Sequence, residues 1–518
     1  RSSYSDNLFD DSRIKYVDAR QKEFPYTVEY SYTRRYKFLY SIPDWSFAAS
    51  SNVSVVSSKY TLEYPMSIGA RYIENKFDGK KEEREEGFNK IISWEMNNLP
   101  ASEYEKYGPF QDEVVPNLNL AVSKFSFEGY VGDMSTWDGI AEWQRMLNKG
   151  RGDISASTIN KISSQIKDLS RYEKIKFIYE YLQENTRYVS IQLGVGGFQP
   201  FPASVVEENG YGDCKALSFY TQTLLKSVGI DSYYSWVYGG YNPPKVDKNF
   251  PHDNFNHIIL AVPHENDTIW LECTSQTNPM GYLGQFTGDR EALLINESGG
   301  HIVKTTSYPA EANNQIMTVS VKVDGDGHAN VKSNATYQGI LASNMLRRAT
   351  QSYDDKKEYL EEQIKIPTFE IRDFKIERKE KDAYRYLEIW VNKLLSKSGS
   401  RLFLQPNVMN KNYFVPLKYK DRKTDVIVRH SYHEYDTVNF EFPKGYRIEA
   451  AFAPIKIESE FGEYSAEIIA NEDGKFQYVR HYFQRKGRFD ATDYARYLDF
   501  HKKIVRADKR KIALISGT

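Results

Sequence analysis

The spacing of apolar residues changes twice along the chain, and these changes restrict the folds that it can adopt. Around Tyr60, Leu62 and Tyr64, apolar and polar residues alternate, which is typical of a strand with one buried face. From about residue 131, apolar residues recur at steps of three and four, as in Ile159 and Ile162, which indicates amphipathic helices. Alternation returns after about residue 305. The pattern predicts a helix-containing centre between two strand-rich regions.

The chain has 518 residues, enough for three or four domains at about 150 residues each. We predict a multidomain α+β protein in which all-β sandwich domains flank an α+β core. The predicted domains are an N-terminal β-sandwich at 1–130, the α+β core at 131–305, a β-rich domain at 306–430, and a C-terminal β-sandwich with a terminal helix at 431–518.

Two local predictions concern the N-terminal region. Val28, Tyr30 and Tyr32 alternate with polar neighbours, so we expect a strand there. The charged run at 80–86 (Lys-Lys-Glu-Glu-Arg-Glu-Glu) is instead predicted to be a solvated loop or a short helix.

Charge and hydropathy exclude two classes of protein. Lys and Arg total 69 and Asp and Glu total 70, so the chain lacks the positive field of a nucleic-acid binder. No apolar run approaches the ~18 residues of a transmembrane helix, so we predict no membrane-spanning segment. Because the first residue is Arg1 rather than Met, we expect a processed chain from which a signal peptide has been removed.

Cys214 lies in the segment Tyr-Gly-Asp-Cys-Lys-Ala-Leu-Ser, at the predicted start of a helix that stops at Gly229. A thiol in the first turn of a helix is near the positive end of the helix dipole, and Lys215 adds a cation. This environment is typical of a cysteine nucleophile. The alternative is that Cys214 is a small buried apolar residue, and this segment alone does not decide between the two.

Two segments after Cys214 carry a candidate base and a candidate orienting acid. His257 falls on one predicted strand and Glu272 on the next, with Pro263–Asn266 as a four-residue turn between them. In that register the two residues are direct cross-strand partners and share a face. Glu272 would then orient the imidazole of His257, which takes the proton from Cys214. A shift by one residue would send Glu272 to the opposite face.

These residues resemble the transglutaminase-like superfamily of papain-related thiol enzymes. The resemblance covers about residues 155–305 and lies in Tyr-Gly-Asp-Cys at a helix start, Asn-His on a strand and an acid on the following strand. Flanking segments resemble a group of exported bacterial proteins with a transglutaminase-like core between β-rich domains. Those segments are Ile42–Phe47 (Ile-Pro-Asp-Trp-Ser-Phe), Tyr188–Pro200, Pro443–Tyr446 and Arg485–Arg488. The resemblance implies a Cys–His–acid triad, a hydrolase or protease activity and a periplasmic or secreted location.

The third member of the triad departs from the family pattern. The family usually has Asp-Pro-Thr where this chain has Glu272-Cys273-Thr274, and Glu is longer by one methylene. Asp253 and Asp267 are the alternative orienting acids. For the oxyanion hole, the resemblance implies the backbone N–H of Cys214 and a side chain from upstream, for which Gln192 is the candidate and Gln199 its rival.

We predict no cofactor and no metal site. The Gly194–Gly197 segment lacks the full signature of a phosphate-binding loop. His252, Asp253 and His257 are spaced like metal ligands, but no second ligand pair accompanies them. A disulfide between Cys214 and Cys273 is an alternative that would block the nucleophile.

The function expected from these features is that of a cysteine peptidase or amidase acting on proteins or peptides through a thioester. Resolution of the thioester by an amine would instead make the protein a crosslinking acyltransferase. A third reading is a catalytically silent scaffold that binds partners at the cell surface. The expected location is periplasmic or secreted, with an association with the cell envelope left open.

Overall fold

The computed structural model describes residues 9–10, 16–48, 50–472 and 474–516. They form a multidomain, strand-rich α/β protein with ten helices among the described residues. The chain divides into two compact units. The first unit comprises 1–102, 115–276 and 280–306, and the second comprises 103–114, 277–279 and 307–518. None of the helices in the described part is long and apolar enough to cross a membrane.

The helices are numbered in chain order. They are α1 Gln111–Val114, α2 Trp137–Asn148, α3 Ala156–Gln165, α4 Arg171–Asn185, α5 Ala203–Asn209, α6 Cys214–Ser227, α7 Gly284–Thr287, α8 Ala342–Ala349, α9 Tyr353–Gln363 and α10 Tyr494–Asp508.

The strands are numbered in the same way. Those of the first unit are β1 Phe9–Asp10, β2 Trp45–Ser46, β3 Val55–Pro65, β4 Ala70–Asn75, β5 Lys80–Glu86, β6 Asn89–Leu99, β7 Asn117–Val122, β8 Lys124–Phe127, β9 Tyr130–Asp133, β10 Arg187–Tyr188, β11 Ile191–Gln192, β12 Tyr211–Gly212, β13 Tyr233–Val237, β14 His257–His264, β15 Asp267–Leu271, β16 Glu291–Asn296 and β17 Gly299–Lys304. Those of the second unit are β18 Asn314–Val323, β19 Ala329–Tyr337, β20 Phe369–Lys379, β21 Asp382–Val391, β22 Ser396–Ser398, β23 Arg401–Leu404, β24 Val426–Val428, β25 Tyr432–Glu441, β26 Tyr446–Ala450, β27 Ile455–Ser459, β28 Gly462–Glu472, β29 Lys475–Gln484, β30 Gly487–Phe489 and β31 Ile512–Ser516.

The N-terminal part of the first unit contains two three-stranded sheets, β3-β6-β5 and β2-β7-β4. Their inward side chains form a small apolar core that includes Phe47, Trp94 and Leu118. The alternating segment around Val28, Tyr30 and Tyr32 forms no strand, and its side chains are exposed. The strand predicted there was therefore wrong, since alternation without a buried face does not stabilise a sheet.

The charged run at 80–86 is the edge strand β5 rather than a loop or a short helix. Every residue of β5 is exposed, so the strand has no apolar face that its sequence pattern could reveal. Lys81 forms ion pairs with Glu74 and Glu83. Charged side chains on an edge strand discourage pairing with other chains, which explains why a run of this composition is found in a sheet.

The central part of the first unit is built on an antiparallel sheet with the order β15-β14-β13-β16-β17. Helix α6 packs against β14 and against helices α4 and α5, and most of its residues are buried. The helix begins and ends as its sequence predicts, since Gly229 follows it with a φ of 76°. Helix α4 begins with a capping box, in which Ser170 and Glu173 cap each other reciprocally.

The second unit contains an eight-stranded sheet, β20-β21-β19-β18-β25-β29-β28-β27, and a four-stranded sheet, β22-β23-β31-β26. The predicted terminal helix is present as α10, and β18 and β19 form a hairpin. Arg480 is buried and forms ion pairs with Glu434, Asp436 and Asp508. In the large sheet, β18 of the predicted third domain pairs with β25 of the predicted fourth. The four domain ranges themselves stay a prediction.

Candidate active site

Cys214 is the first residue of α6, as the sequence predicts. Asp213 caps the helix, and its Oδ1 accepts a hydrogen bond of 3.0 Å from the backbone N–H of Ala216. The ammonium group of Lys215 is buried and forms an ion pair with the other carboxylate oxygen of Asp213. The N-terminus of α6 therefore carries a buried, internally balanced ion pair beside the thiol.

Gly212 allows the chain to approach the first turn of α6 closely. A Cβ added at Gly212 would lie 2.9 Å from the Cβ of Ala216 and 3.4 Å from two atoms of Leu217. Gly212 also ends β12, which pairs in parallel with β10 through Tyr188. This pairing brings the segment that continues to Gln192 alongside the start of α6.

His257 is the first residue of β14 and pairs with Val237 of β13. The preceding residue, Asn256, extends this pairing, because its side chain accepts from the Gly239 N–H at 2.6 Å and donates to the Gly239 carbonyl at 3.2 Å. The edge of the ring of Phe286 packs against the imidazole, with 5.3 Å between ring centroids. These contacts fix the backbone and the ring plane of His257.

The β14–β15 hairpin differs from the predicted register by two residues. Its turn has two residues, Glu265 and Asn266, rather than the predicted four, and Glu265 has a φ of 53°. His264 pairs with Asp267, so extending the ladder places Glu272 opposite Ile259 rather than His257. A shift of two residues preserves the face of each side chain, so Glu272 still reaches His257.

The carboxylate of Glu272 is buried and accepts three hydrogen bonds. The Nε2 atom of His257 lies 2.8 Å from Oε1. The hydroxyl of Thr274 donates to the same oxygen at 2.6 Å, and the hydroxyl of Thr287 donates to Oε2 at 3.1 Å. The phenol of Tyr179 donates to the backbone carbonyl of Glu272 at 3.0 Å. The position of the acid is therefore fixed on several sides.

The side chains of Cys214, His257 and Glu272 interact in series. Cys214 and Glu272 both interact with His257, and because Nε2 faces Glu272, Nδ1 is the ring nitrogen left for the sulfur. Burial opposes a charged imidazole, but the carboxylate and the sulfur outweigh it and raise the pKa of His257. Burial likewise opposes the charge of Glu272, but His257 and the two threonine hydroxyls hold the pKa of this carboxyl low.

Cys273 differs from Cys214 in its surroundings. Both are free thiols in the structure, without a disulfide between them. Cys273 is buried, and burial raises the pKa of its thiol to about 12. It hydrogen bonds within the core, its Sγ lying 3.7 Å from the carbonyl of Leu271.

One cavity of about 480 Å³ brings together Cys214, His257 and Gln192, whereas Glu272 is not among its lining residues. It is lined by Gln144, Tyr188, Ser190, Gln192, Gly197, Phe198, Cys214, Lys215, Trp236, Asp253, Phe255, Asn256, His257 and Ile258. Gln192 is in this lining, whereas the amide of Gln199 is bonded to Tyr130 and to the Leu147 carbonyl. Of the alternative acids, Asp267 lies at the far end of the hairpin, and Asp253 lines the cavity.

Sequence reasoning missed several groups that contact His257 and Glu272. Thr274 lies two residues after Glu272, and in an extended chain side chains two residues apart point to the same face. This spacing could have identified Thr274 from the sequence. Thr287 and Phe286 come from a separate segment, and no local pattern connects them with His257 or Glu272. Within the described ranges, no group of three or more His, Cys, Asp or Glu residues is arranged to hold a metal ion.

Two family models match the two ends of the chain, and a solved structure is similar to most of it. A domain of unknown function, DUF3857, matches residues 1–103, and another, DUF3858, matches residues 400–514. The chain is similar to the crystal structure of "a putative protease" from Parabacteroides distasonis, with 13% identity, a TM-score of 0.55, and coverage of 91% of this chain and 75% of that chain. This likeness indicates a shared fold.

A second structure, "a putative cysteine protease" from Cytophaga hutchinsonii, has 12% identity and a TM-score of 0.21, and the match covers 48% of this chain and 76% of that chain. That score is too low to support a structural argument. No curated protein matches the chain.

Proposed function

We propose that this protein is a cysteine peptidase or amidase with a transglutaminase-like core. Cys214 is its nucleophile, His257 its general base and acid, and Glu272 the residue that orients His257. The observation that carries the proposal is that the buried His257 interacts with Cys214, which lines the same cavity, and that its Nε2 lies 2.8 Å from Oε1 of Glu272. This arrangement matches the relation of nucleophile, base and orienting group in acyl-transfer catalysis.

In the first step, the Sγ of Cys214 bonds to the carbonyl carbon of the substrate, and His257 holds the thiol proton at Nδ1. As the carbon–nitrogen bond breaks, His257 returns this proton to the leaving amine, which leaves a thioester. His257 then takes a proton from water, and the hydroxide attacks the thioester. The carboxylic acid product leaves, and the thiol is restored.

Two groups stabilise the negative oxygen of the tetrahedral intermediates in this proposal. The backbone N–H of Cys214 is free of an intrahelical partner, because it belongs to the first turn of α6. The side-chain amide of Gln192 lines the same cavity and is the second donor. Gln199 is not proposed for this role, since its amide is bonded elsewhere.

A similar structure and the flanking sequence segments support the same function. The structurally similar protein from Parabacteroides distasonis is named a putative protease. The flanking segments that resemble exported bacterial proteins support a periplasmic or secreted location, and fractionation of the native cells would test it. Proteins or peptides are the proposed substrates.

Alkylation by iodoacetamide at neutral pH tests the reactive thiol. We expect rapid modification of Cys214, measured by peptide mass spectrometry, and a loss of this rapid phase in His257→Ala. Cys273 is an internal control, because its burial and its raised pKa should keep it unmodified in the folded protein. Slow labelling of Cys214 that does not depend on His257 would contradict the proposal and favour a non-catalytic scaffold.

Incubation with casein and a labelled primary amine separates hydrolysis from transfer. A peptidase produces fragments, whereas a transglutaminase incorporates the amine. We expect fragments with the native protein and none with Cys214→Ser. Incorporation of the amine without fragments would overturn the assignment as a hydrolase while leaving the nucleophile in place.

A further inference from the structure

The cavity beside Cys214 contains a carboxylate that the proposed reaction does not use. Asp253 lies in the segment before β14, and its Oδ1 is buried without a hydrogen-bond partner among the described residues. Burial raises the pKa of this carboxyl to about 6, a value at which the group is still mainly ionised at neutral pH. A buried, incompletely satisfied carboxylate is costly, so its place in the cavity needs an explanation.

The charges that line the cavity are balanced except at this position. Lys215 has its counter-ion in Asp213, and His257 has its own in Glu272. Asp253 forms no ion pair with any described residue. Its polar neighbours are the phenol of Tyr40 and the adjacent His252, whose Nε2 lies 3.4 Å from Asp44. The cavity thus has one negative charge for which the chain provides no dedicated cation.

Aromatic rings form part of the same lining. Phe198 and Trp236 have ring centroids 6.0 Å apart, and Trp236 and Phe255 have centroids 6.4 Å apart. The faces of aromatic rings attract ammonium and guanidinium groups, and they do so more strongly where water is excluded. A carboxylate and aromatic rings in the lining of one cavity are a combination suited to an organic cation.

We propose that Asp253 is a specificity-determining residue that binds a positively charged nitrogen of the substrate, next to the carbonyl that Cys214 attacks. This inference rests on the proposed function and adds the substrate class, which is a peptide with a basic side chain or a free α-amino group at the cleavage site. Both sources supply the same ammonium group. The cation completes an ion pair that the free protein lacks, and Phe198, Trp236 and Phe255 surround it.

Alkylation of Cys214 by peptidyl chloromethyl ketones tests the inference without requiring turnover. In this reaction the sulfur bonds to the methylene carbon and chloride leaves. We compare N-acetyl-lysyl with N-acetyl-norleucyl reagents, which differ in the side-chain ammonium, and free-amino with N-acetylated norleucyl reagents, which differ in the α-ammonium. We expect at least one cationic reagent to react tenfold faster than its neutral partner, equivalent to about 1.4 kcal/mol. The pair in which the cationic reagent reacts faster shows whether the cation comes from the side chain or from the α-amino group.

Two variants test the role of Asp253 itself. Asp253→Asn keeps the size of the side chain and removes its charge, so the preference for the cationic reagent should fall to about onefold. The measurement is the ratio of the two rates within one variant, because a change in the intrinsic reactivity of Cys214 cancels in this ratio. Asp231→Asn changes an exposed acid outside the cavity lining and should keep the native preference.

The outcomes separate this inference from the proposed function. Equal rates for charged and neutral reagents in the native protein would overturn the inference, and this comparison does not depend on whether a variant folds. An unchanged preference in Asp253→Asn would also overturn it, as would failure of every peptidyl reagent at a Cys214 that iodoacetamide modifies. By contrast, labelling by iodoacetamide that does not depend on His257 would contradict the proposed function.

Discussion

Replacing Glu272 by Ala tests the proposed triad most directly, because the side chain that it removes is fixed by several contacts. The substitution removes the carboxylate oxygen that lies 2.8 Å from Nε2 of His257. It also removes the carboxylate to which the hydroxyls of Thr274 and Thr287 donate. A hydrogen bond to a charged group contributes about 1.5–3 kcal/mol. If that contribution orients and charges the imidazole, the alkylation of Cys214 at pH 7 should slow by roughly 10- to 150-fold.

The pH dependence of this effect follows from the two opposing influences on His257. Glu272 and Cys214 raise the pKa of the imidazole, whereas burial lowers it. Without the carboxylate, burial should bring the pKa of His257 down, so the imidazolium that supports the thiolate is lost at neutral pH. The native and variant rates should converge as the pH rises above the native pKa of His257, about 10, because the imidazole is then neutral in both proteins.

Stability provides a second measurement with a defined sign. The raised pKa of His257 contributes stability that is fully present below its unfolded value of 6.5 and is lost as the pH rises through the folded value. The lowered pKa of Glu272 contributes stability that is present above its unfolded value of 4.5 and is lost as the pH falls through the folded value. The difference in unfolding free energy between native protein and Glu272→Ala should therefore be largest between pH 4.5 and 6.5.

The assay is the rate of iodoacetamide modification at Cys214 from pH 5 to 10, followed by mass spectrometry, together with urea unfolding over the same range. Glu208→Ala is the matched control, since Glu208 is an exposed acid on α5. It should reproduce both native profiles. A Glu272→Ala protein that is folded and has the native pH–rate profile would refute the argument that Glu272 acts through His257.

Three further substitutions test packing and buried charge. Gly212→Ala places a Cβ 2.9 Å from that of Ala216, and we expect a loss of about 1–3 kcal/mol in urea unfolding; unchanged stability would contradict the close approach. Asp213→Asn keeps an oxygen for the helix cap but leaves the Lys215 ammonium buried without its counter-ion, which should cost about 3–5 kcal/mol and be partly recovered by adding Lys215→Met. In the second unit, Arg480→Met leaves the buried carboxylate of Asp436 without its counter-ion, and burial raises the pKa of Asp436 to about 6. The loss of unfolding free energy should therefore be smaller at pH 5 than at pH 8, and equal losses would count against this account.

The sequence predicts the surroundings of Cys214 well because the signals that form them are local. Asp213 caps the helix, Gly229 ends it, and Cys214 lies in its first turn. The face to which His257 and Glu272 each point is also set by the local sequence, since each residue lies on or just beyond a strand with a clear pattern. These features need no knowledge of distant contacts.

Other parts of the structure depend on contacts between segments that are distant in the sequence. Thr287 reaches Glu272 from a separate turn, and Asp253 enters the cavity from an irregular segment without periodicity. The strand at 80–86 could not be predicted because its pattern has no buried face, and its position is set by pairing with β6. In the second unit, β18 pairs with β25, more than a hundred residues away, which no local pattern specifies.

The error in the hairpin register leads to a prediction about the length of the acid. Because Glu272 extends the ladder opposite Ile259, it is a diagonal neighbour of His257. Diagonal neighbours are about 7–8 Å apart, with their Cβ atoms somewhat closer, compared with about 4.5–5.5 Å between the Cβ atoms of direct partners. The longer side chain of Glu spans this gap. Glu272→Asp withdraws the carboxylate by about 1.5 Å, which takes it beyond hydrogen-bond distance from an Nε2 atom that is now at 2.8 Å. We therefore expect Cys214 in Glu272→Asp to be alkylated as slowly as in Glu272→Ala, although the Asp variant keeps the negative charge. Near-native alkylation by the Asp variant would mean that the two strands move closer, and that the length of Glu is not what the site requires.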